Sequence, residues 1–173
     1  PSMLRRMLRG GSTDLRGVVR RLRDQLPSAV LRTSFIVGHP GETEAEFQEL
    51  LSFVREVEFD HVGVFQYSDE ESCTSHQLDD KVDDETTAAR ADELLSLQRG
   101  ISRRKNEARV GQQLTVLVEG SSEESELVMV GRHAGQAPEV DGVVYLSHGP
   151  VQPGTMCTAQ IVSATEYDLL AEV

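Results

Sequence analysis

The hydrophobic periodicity of the sequence changes near Glu107, and no single regular fold satisfies both sides of that change. Upstream, apolar residues recur at helical spacing and at strand spacing in turn. Downstream come short apolar runs cut by Gly and Pro, with no helical spacing between them. The chain of 173 residues therefore divides into 1–106, an α/β part, and 107–173, an all-β part. That length suits a partial larger domain followed by a small one.

In the first part, Met3 to Arg9 reads as a turn or two of helix, stopped by Gly10-Gly11. The chain opens inside this element and without a methionine, so the expectation is a piece of a longer protein. Ser12, Thr13 or Asp14 can cap a second helix, with Leu15, Val18, Val19, Leu22 and Leu26 on one face and Pro27-Ser28 as its break. Val30 to Val37 reads as a strand, and Gly38-His39-Pro40-Gly41 as a turn. Thr43 with Glu46 three residues on is a capping box, opening a helix with Phe47, Leu50, Leu51, Val54 and Val57 inward. His61 to Tyr67 is a second strand, Ser68 to Asp84 an acidic loop, and Ala88 to Ala108 a long helix. Two strands joined through a helix imply a parallel pair.

In the second part, strands are expected at Leu114–Val118, Leu127–Val130, Val143–Leu146, Cys157–Val162 and Asp168–Val173. Five short strands with Gly- and Pro-rich gaps point to a small closed barrel of OB-like type. Its charge is lopsided: ten acids against Arg109 and Arg132 give −8 of the chain's net −12. A surface this acidic repels phosphate backbones and attracts basic proteins, although acidity also serves solubility alone.

Other classes are excluded by composition. No apolar run approaches the roughly 20 residues of a membrane span, and no charged-then-apolar leader precedes a small-residue cleavage site. Cys73 and Cys157 make neither a disulfide framework nor a four-cysteine zinc site, which fits a reducing cytoplasmic setting.

The run Leu31 to Thr43 concentrates the candidate chemistry. A strand entering a Gly-Pro-Gly turn places backbone at the carboxyl end of a parallel sheet, where α/β folds bind ligands. Gly38 and Gly41 would admit a ligand close to the backbone, and Arg32 or Ser34 could meet a carboxylate or a ribose hydroxyl. The plainer reading, glycines that serve only the turn, is favoured by spacing alone. The Gly-Lys-Ser/Thr signature of a P-loop is absent. His39, His61, His76, His133 and His148 lack metal-ligand spacing. Cys73 lies among acids that disfavour a thiolate, and Cys157 falls in an alternating strand as a core residue. The arginines between Arg5 and Arg23 have no interleaved aromatics and read as solvated helix faces.

Taken together, FIVGHPGETEAEF and, some twenty residues on, HVGVFQYSDEES resemble the late strands of a radical S-adenosylmethionine barrel. PSMLRRMLRGG is similar to the helix that precedes those strands in methylthiotransferases. The downstream barrel resembles the TRAM domain of these enzymes. VGRHAGQAPEVDGVVYL resembles the branch that modifies a small-subunit ribosomal protein rather than the tRNA-directed branch. The resemblance covers essentially the whole chain, in family order.

That resemblance implies the C-terminal part of an open radical S-adenosylmethionine TIM-like barrel followed by a TRAM barrel. It implies S-adenosyl-L-methionine and two [4Fe-4S] clusters as cofactors, generation of a 5′-deoxyadenosyl radical, and methylthiolation of the β-carbon of an aspartate. By position, Arg32, Ser34 and Gly38 would run along the S-adenosylmethionine, with Val64, Phe65 and Gln66 near the adenine. Glu119, Glu139 and Asp141 would dock a basic ribosomal protein. One departure is large: the family's CxxxCxxC motif is absent, so this chain by itself is expected to hold no cluster and to be inactive. A tRNA methylthiotransferase and a non-catalytic binding module remain as rival readings.

Overall fold

The computed structural model describes residues 2–9, 14–122, 125, 128–147 and 149–173. The expected Gly10-Gly11 stop, caps at Ser12 or Thr13, strand start at Leu127, the three glutamates of 123–126 and His148 lie outside these residues. The chain forms two compact units, Pro1–Ile101 and Ser102–Val173. Among the described residues, no helix is long and apolar enough to cross a membrane.

In the first unit, α1 (Ser2–Arg6) and α2 (Leu15–Gln25) precede β1 (Arg32–Val37). Asp14 is the cap of α2, its carboxylate accepting from the Gly17 amide at 2.9 Å. The helix α3 (Glu44–Val57) opens with the complete Thr43–Glu46 capping box, satisfying donors that a helix start leaves unpaired. Then β2 (His61–Gln66) pairs with β1 in parallel, Ser34 opposite Gly63 and Ile36 opposite Phe65. The helix α4 (Asp84–Glu107) carries residues of both units. Strand alternation sends Phe35 and Val37 to the helix side. There they join Phe47, Leu51, Val54, Ala91, Leu94 and Ile101 in one core. A 3-10 turn at Thr74–Gln77 interrupts the loop expected to be irregular. It is a single turn without apolar periodicity, so the sequence carries no signal for it.

The second unit is a closed barrel of β3 (Gln113–Ser121), β4 (Met129–His133), β5 (Val144–Ser147), β6 (Met156–Ala164) and β7 (Leu169–Glu172), ordered β3-β4-β5-β7-β6. Every contact is antiparallel except β5 with β7. Val116, Val118, Val144, Leu146, Ala159, Ile161, Leu169 and Ala171 fill the interior from alternating positions. Cys157 packs against that interior, and burial pushes its thiol pKa up. Closure leaves no strand edge open, which explains why strands this short are stable together.

Candidate functional site

Two surfaces carry the residues that the sequence singles out, one in each unit. In the first, alternation puts Arg32, Ser34 and Ile36 on the exposed face of β1, and the register sets Gly63 and Phe65 beside them on β2. Phe65 is 59% exposed and Ile36 37%, so the end of this face nearest the turn presents apolar surface to solvent. A β-carbon at Gly63 would stand 3.2 Å from Ser34 Oγ, so the glycine keeps room beside that hydroxyl. Ser34, Ile36 and Phe65 line one cavity of about 480 Å³, which Met3 and Met7 from the first helical segment and Leu15 from α2 complete. Arg32, Gly38 and Gln66 do not line it. Gln66 is exposed at the end of β2, one residue past Phe65 and so on the opposite side of the strand.

The turn after β1 is held from beneath. Gly38 is buried in the left-handed region at φ 79°, and a β-carbon there would lie 2.3 Å from Thr87 Oγ1. Its amide donates to Glu42 Oε1 at 3.2 Å, and Arg90 donates to the same oxygen at 2.8 Å. Arg90 also donates to the Glu42 carbonyl oxygen at 3.2 Å and stands over the Phe47 ring. His39 is buried against Tyr67, their rings 5.4 Å apart edge to face. The Gly41 amide donates to the Asp80 carbonyl at 2.8 Å, tying the turn to the loop after β2. In that loop Asp69 gathers Tyr67, His76 and Lys81, and the Lys81 hydrogen bond leads in holding its carboxyl below the usual range. Glu42 and Arg90 are 48 positions apart, and no local pattern announces their pairing.

In the barrel the three expected docking acids have different surroundings. Glu119 accepts from Arg132 Nε at 2.6 Å across the β3–β4 pair. Asp141 accepts from the Ala137 amide at 2.7 Å and so closes its own loop. Glu139 is exposed at the tip of that loop, with φ 61°. The loop is internally fixed: buried Gln136 accepts from the His133 amide and donates to the Gly142 carbonyl at 2.6 Å. It is also fixed to the β6–β7 turn, because the Val143 amide donates to Asp168 Oδ1 at 2.8 Å. Asn106 Nδ2 donates to the carbonyls of Thr165 and Glu166 in that turn. Neither Gln136 nor Asn106 stands out in the sequence, because a structural amide has no periodic signature.

Among the described residues, no group of three or more His, Cys, Asp or Glu is arranged to hold a metal ion. Cys73 is exposed in the loop after β2, and Cys157 lies in the barrel.

Comparison with known proteins places these surfaces in a family context. Residues 110–173 match the TRAM domain family. Over 99% of its length the chain is 57% identical to the ribosomal protein uS12 methylthiotransferase RimO of Sorangium cellulosum. It is 46% identical to the same-named protein of Anaeromyxobacter sp. (strain K) and 45% to that of Myxococcus xanthus, again over 99% of the chain. The chain spans 36%, 37% and 36% of the length of these three relatives, matching their C-terminal portion. It is, across essentially all of its residues, a homologue of the C-terminal portion of the RimO methylthiotransferases, with a TRAM domain at residues 110–173.

Proposed function

We propose that the chain works as the C-terminal part of a radical S-adenosylmethionine methylthiotransferase. In this reading its first unit closes one side of the cofactor site. Its barrel docks a basic small-subunit ribosomal protein, for modification at the β-carbon of an aspartate. The observation that carries the substrate class is the charge of the barrel's ligand-facing parts. OB-type barrels bind through the face of their second and third strands and the connections between strands one and two and four and five. Between β3 and β4 the sequence carries three glutamates and no base, and residues 165–168 hold Glu166, paired with Arg103 at 3.5 Å, and Asp168, which accepts from the Val143 amide. On β4 and β5 the one base is Arg132, already paired with Glu119. A phosphate backbone would be repelled there, and a Lys- and Arg-rich polypeptide would be steered in. The unit from Ser102 onward has ten acidic and five basic residues, a formal −5, because Arg103, Arg104 and Lys105 join it. The acids remain concentrated in the barrel connections.

The exposed face of β1 and β2 suits the adenosine of S-adenosylmethionine. Phe65 and Ile36 offer an apolar surface to a purine, and Ser34 and Arg32 on the same face offer a hydroxyl and a guanidinium to ribose and carboxylate. Gly38, buried in the turn after β1, and Gln66, on the opposite side of β2, do not share that face. When bound, S-adenosylmethionine would supply hydrogen abstraction from an unactivated carbon, and these residues would supply binding and orientation. The iron–sulfur clusters do not fit the residues present. Two cysteines, in separate units, fall short of the thiolate set that a [4Fe-4S] cluster takes. A cytoplasmic setting, where ribosomal proteins are made, belongs to the same reading.

The test is a titration of the 173-residue chain with a fluorescent peptide of uS12 and, separately, with a tRNA anticodon stem-loop, each at low and high salt. Peptide binding that weakens with salt, without RNA binding, is the expected result. RNA binding without peptide binding would overturn the substrate assignment.

A further inference from the structure

The outward face of the barrel carries an apolar row that the charge argument leaves unused. Val130 on β4 stands opposite Tyr145 on β5, and Tyr145 stands opposite Leu170 on β7. All three point outward, because their strand neighbours Gly131, Val144, Leu146, Leu169 and Ala171 are the buried ones. Directly opposed residues bring their β-carbons to about 4.5–5.5 Å, so the three side chains form one continuous strip across three strands. Leu170 is 40% exposed, and Val130 and Tyr145 are half-buried. The strip crosses β4 and β5, the pair through which barrels of this order bind their ligands. Acids bound it: exposed Glu172 lies two residues beyond Leu170 on the same face of β7, and the turn that leads into β7 holds Glu166, which pairs with Arg103 at 3.5 Å, and Asp168, which accepts from the Val143 amide.

We infer that Val130, Tyr145 and Leu170 form the apolar floor of a docking surface for an extended, Lys- and Arg-rich polypeptide segment that also carries aliphatic side chains. The inference rests on the proposed function above and adds to it where the segment lies. Charge complementarity selects the class of occupant. The acids at the rim take the cationic heads, while the strip takes aliphatic side chains and the methylene stems of Lys and Arg. Acids alone would attract any polycation. The strip would make the surface prefer basic segments with aliphatic side chains over basic segments without them.

The experiment uses the full 173-residue chain and two fluorescein-labelled synthetic peptides of equal length and equal Lys/Arg count, one interspersed with Leu and Ile, the other with Gly and Ser. The native chain is expected to bind the Leu/Ile peptide at least tenfold more tightly. Tyr145→Ser and Leu170→Ser are each expected to lower the ratio of the two affinities to about twofold or less. Circular dichroism of each variant reports the fold, and Leu170→Ser, at a more exposed position, decides the matter where Tyr145→Ser unfolds. Equal affinity of the native chain for both peptides, or a preference unchanged in Leu170→Ser, overturns the inference while the substrate class stands. Failure to bind either peptide, with binding of the RNA stem-loop, overturns both.

Discussion

The Arg90 guanidinium donates to the Glu42 carboxylate at 2.8 Å with only 9% and 5% of the two side chains exposed. The same carboxylate oxygen accepts from the Gly38 amide, so one buried pair fixes the backbone at the carboxyl end of β1. Leaving a buried charge wholly unpaired costs about 3–5 kcal/mol, and removing Glu42 costs less than that because Arg90 keeps Glu44 Oε2 at 3.3 Å. Glu42→Ala is therefore expected to loosen the turn, with hydrogen exchange at the Gly38 amide at least tenfold faster. Exchange at an unchanged rate would show that the Gly38–Gly41 backbone holds its shape without Glu42.

Glu46 supplies a pH dependence. Burial raises its pKa, but hydrogen bonds from the Ser2 hydroxyl, the Thr43 amide, Arg6 and the Thr43 hydroxyl outweigh burial and bring it down to about 2 from 4.5. A carboxyl whose pKa is depressed on folding stabilises fully above its unfolded value and loses that contribution as pH falls through its folded value. The capping box of α3 should thus weaken between pH 4.5 and about 2. Denaturant unfolding followed across that interval should show a shallower pH dependence for Glu46→Gln than for the native chain; parallel curves would count against it.

Phe65 separates stability from binding. More than half exposed, it contributes little to the first core, and Phe65→Ser is expected to change stability by no more than about 0.5 kcal/mol. In a methylthiotransferase that contains this chain, the same change is expected to weaken S-adenosylmethionine binding at least tenfold, read by equilibrium dialysis. Unchanged binding would remove Phe65 from the proposed cofactor face.

What was legible in the sequence follows from how local each signal is. Thr43 and Glu46 announce their helix because a capping box is complete within four residues. The barrel strands are legible because burial alternates, as at Val116 and Val118 or Leu169 and Ala171. The observed β4 ends at His133 rather than Val130, since Gly131 and Arg132 carry no apolar signal yet pair with Val118 and Leu117. In the candidate sites, Ser34 and Phe65 were reachable from strand position, whereas Glu42 with Arg90, and Glu119 with Arg132, depend on folding that joins distant segments. The second pair matters for docking: Glu119, named from the sequence as a docking acid, is paired with Arg132 in the barrel.

Gly142 gives the sharpest test of the barrel, since it ends the loop that begins at His133. A β-carbon there would stand 2.1 Å from the Tyr167 carbonyl oxygen and 2.7 Å from Asp168 Oδ1. Backbone cannot yield as a flexible side chain can, so Gly142→Ala must push the loop off the β6–β7 turn. That displacement breaks the hydrogen bond from the Val143 amide to Asp168 and strains the one from Gln136 to the Gly142 carbonyl. Overpacking of this kind costs about 1–3 kcal/mol. Gly120, within β3, has open space where its β-carbon would stand, so Gly120→Ala is the matched control. Thermal unfolding should place Gly142→Ala several degrees below the native chain and Gly120→Ala within about a degree or two of it. Equal melting of the two variants would mean that the loop and the turn are not packed as closely as their backbones indicate.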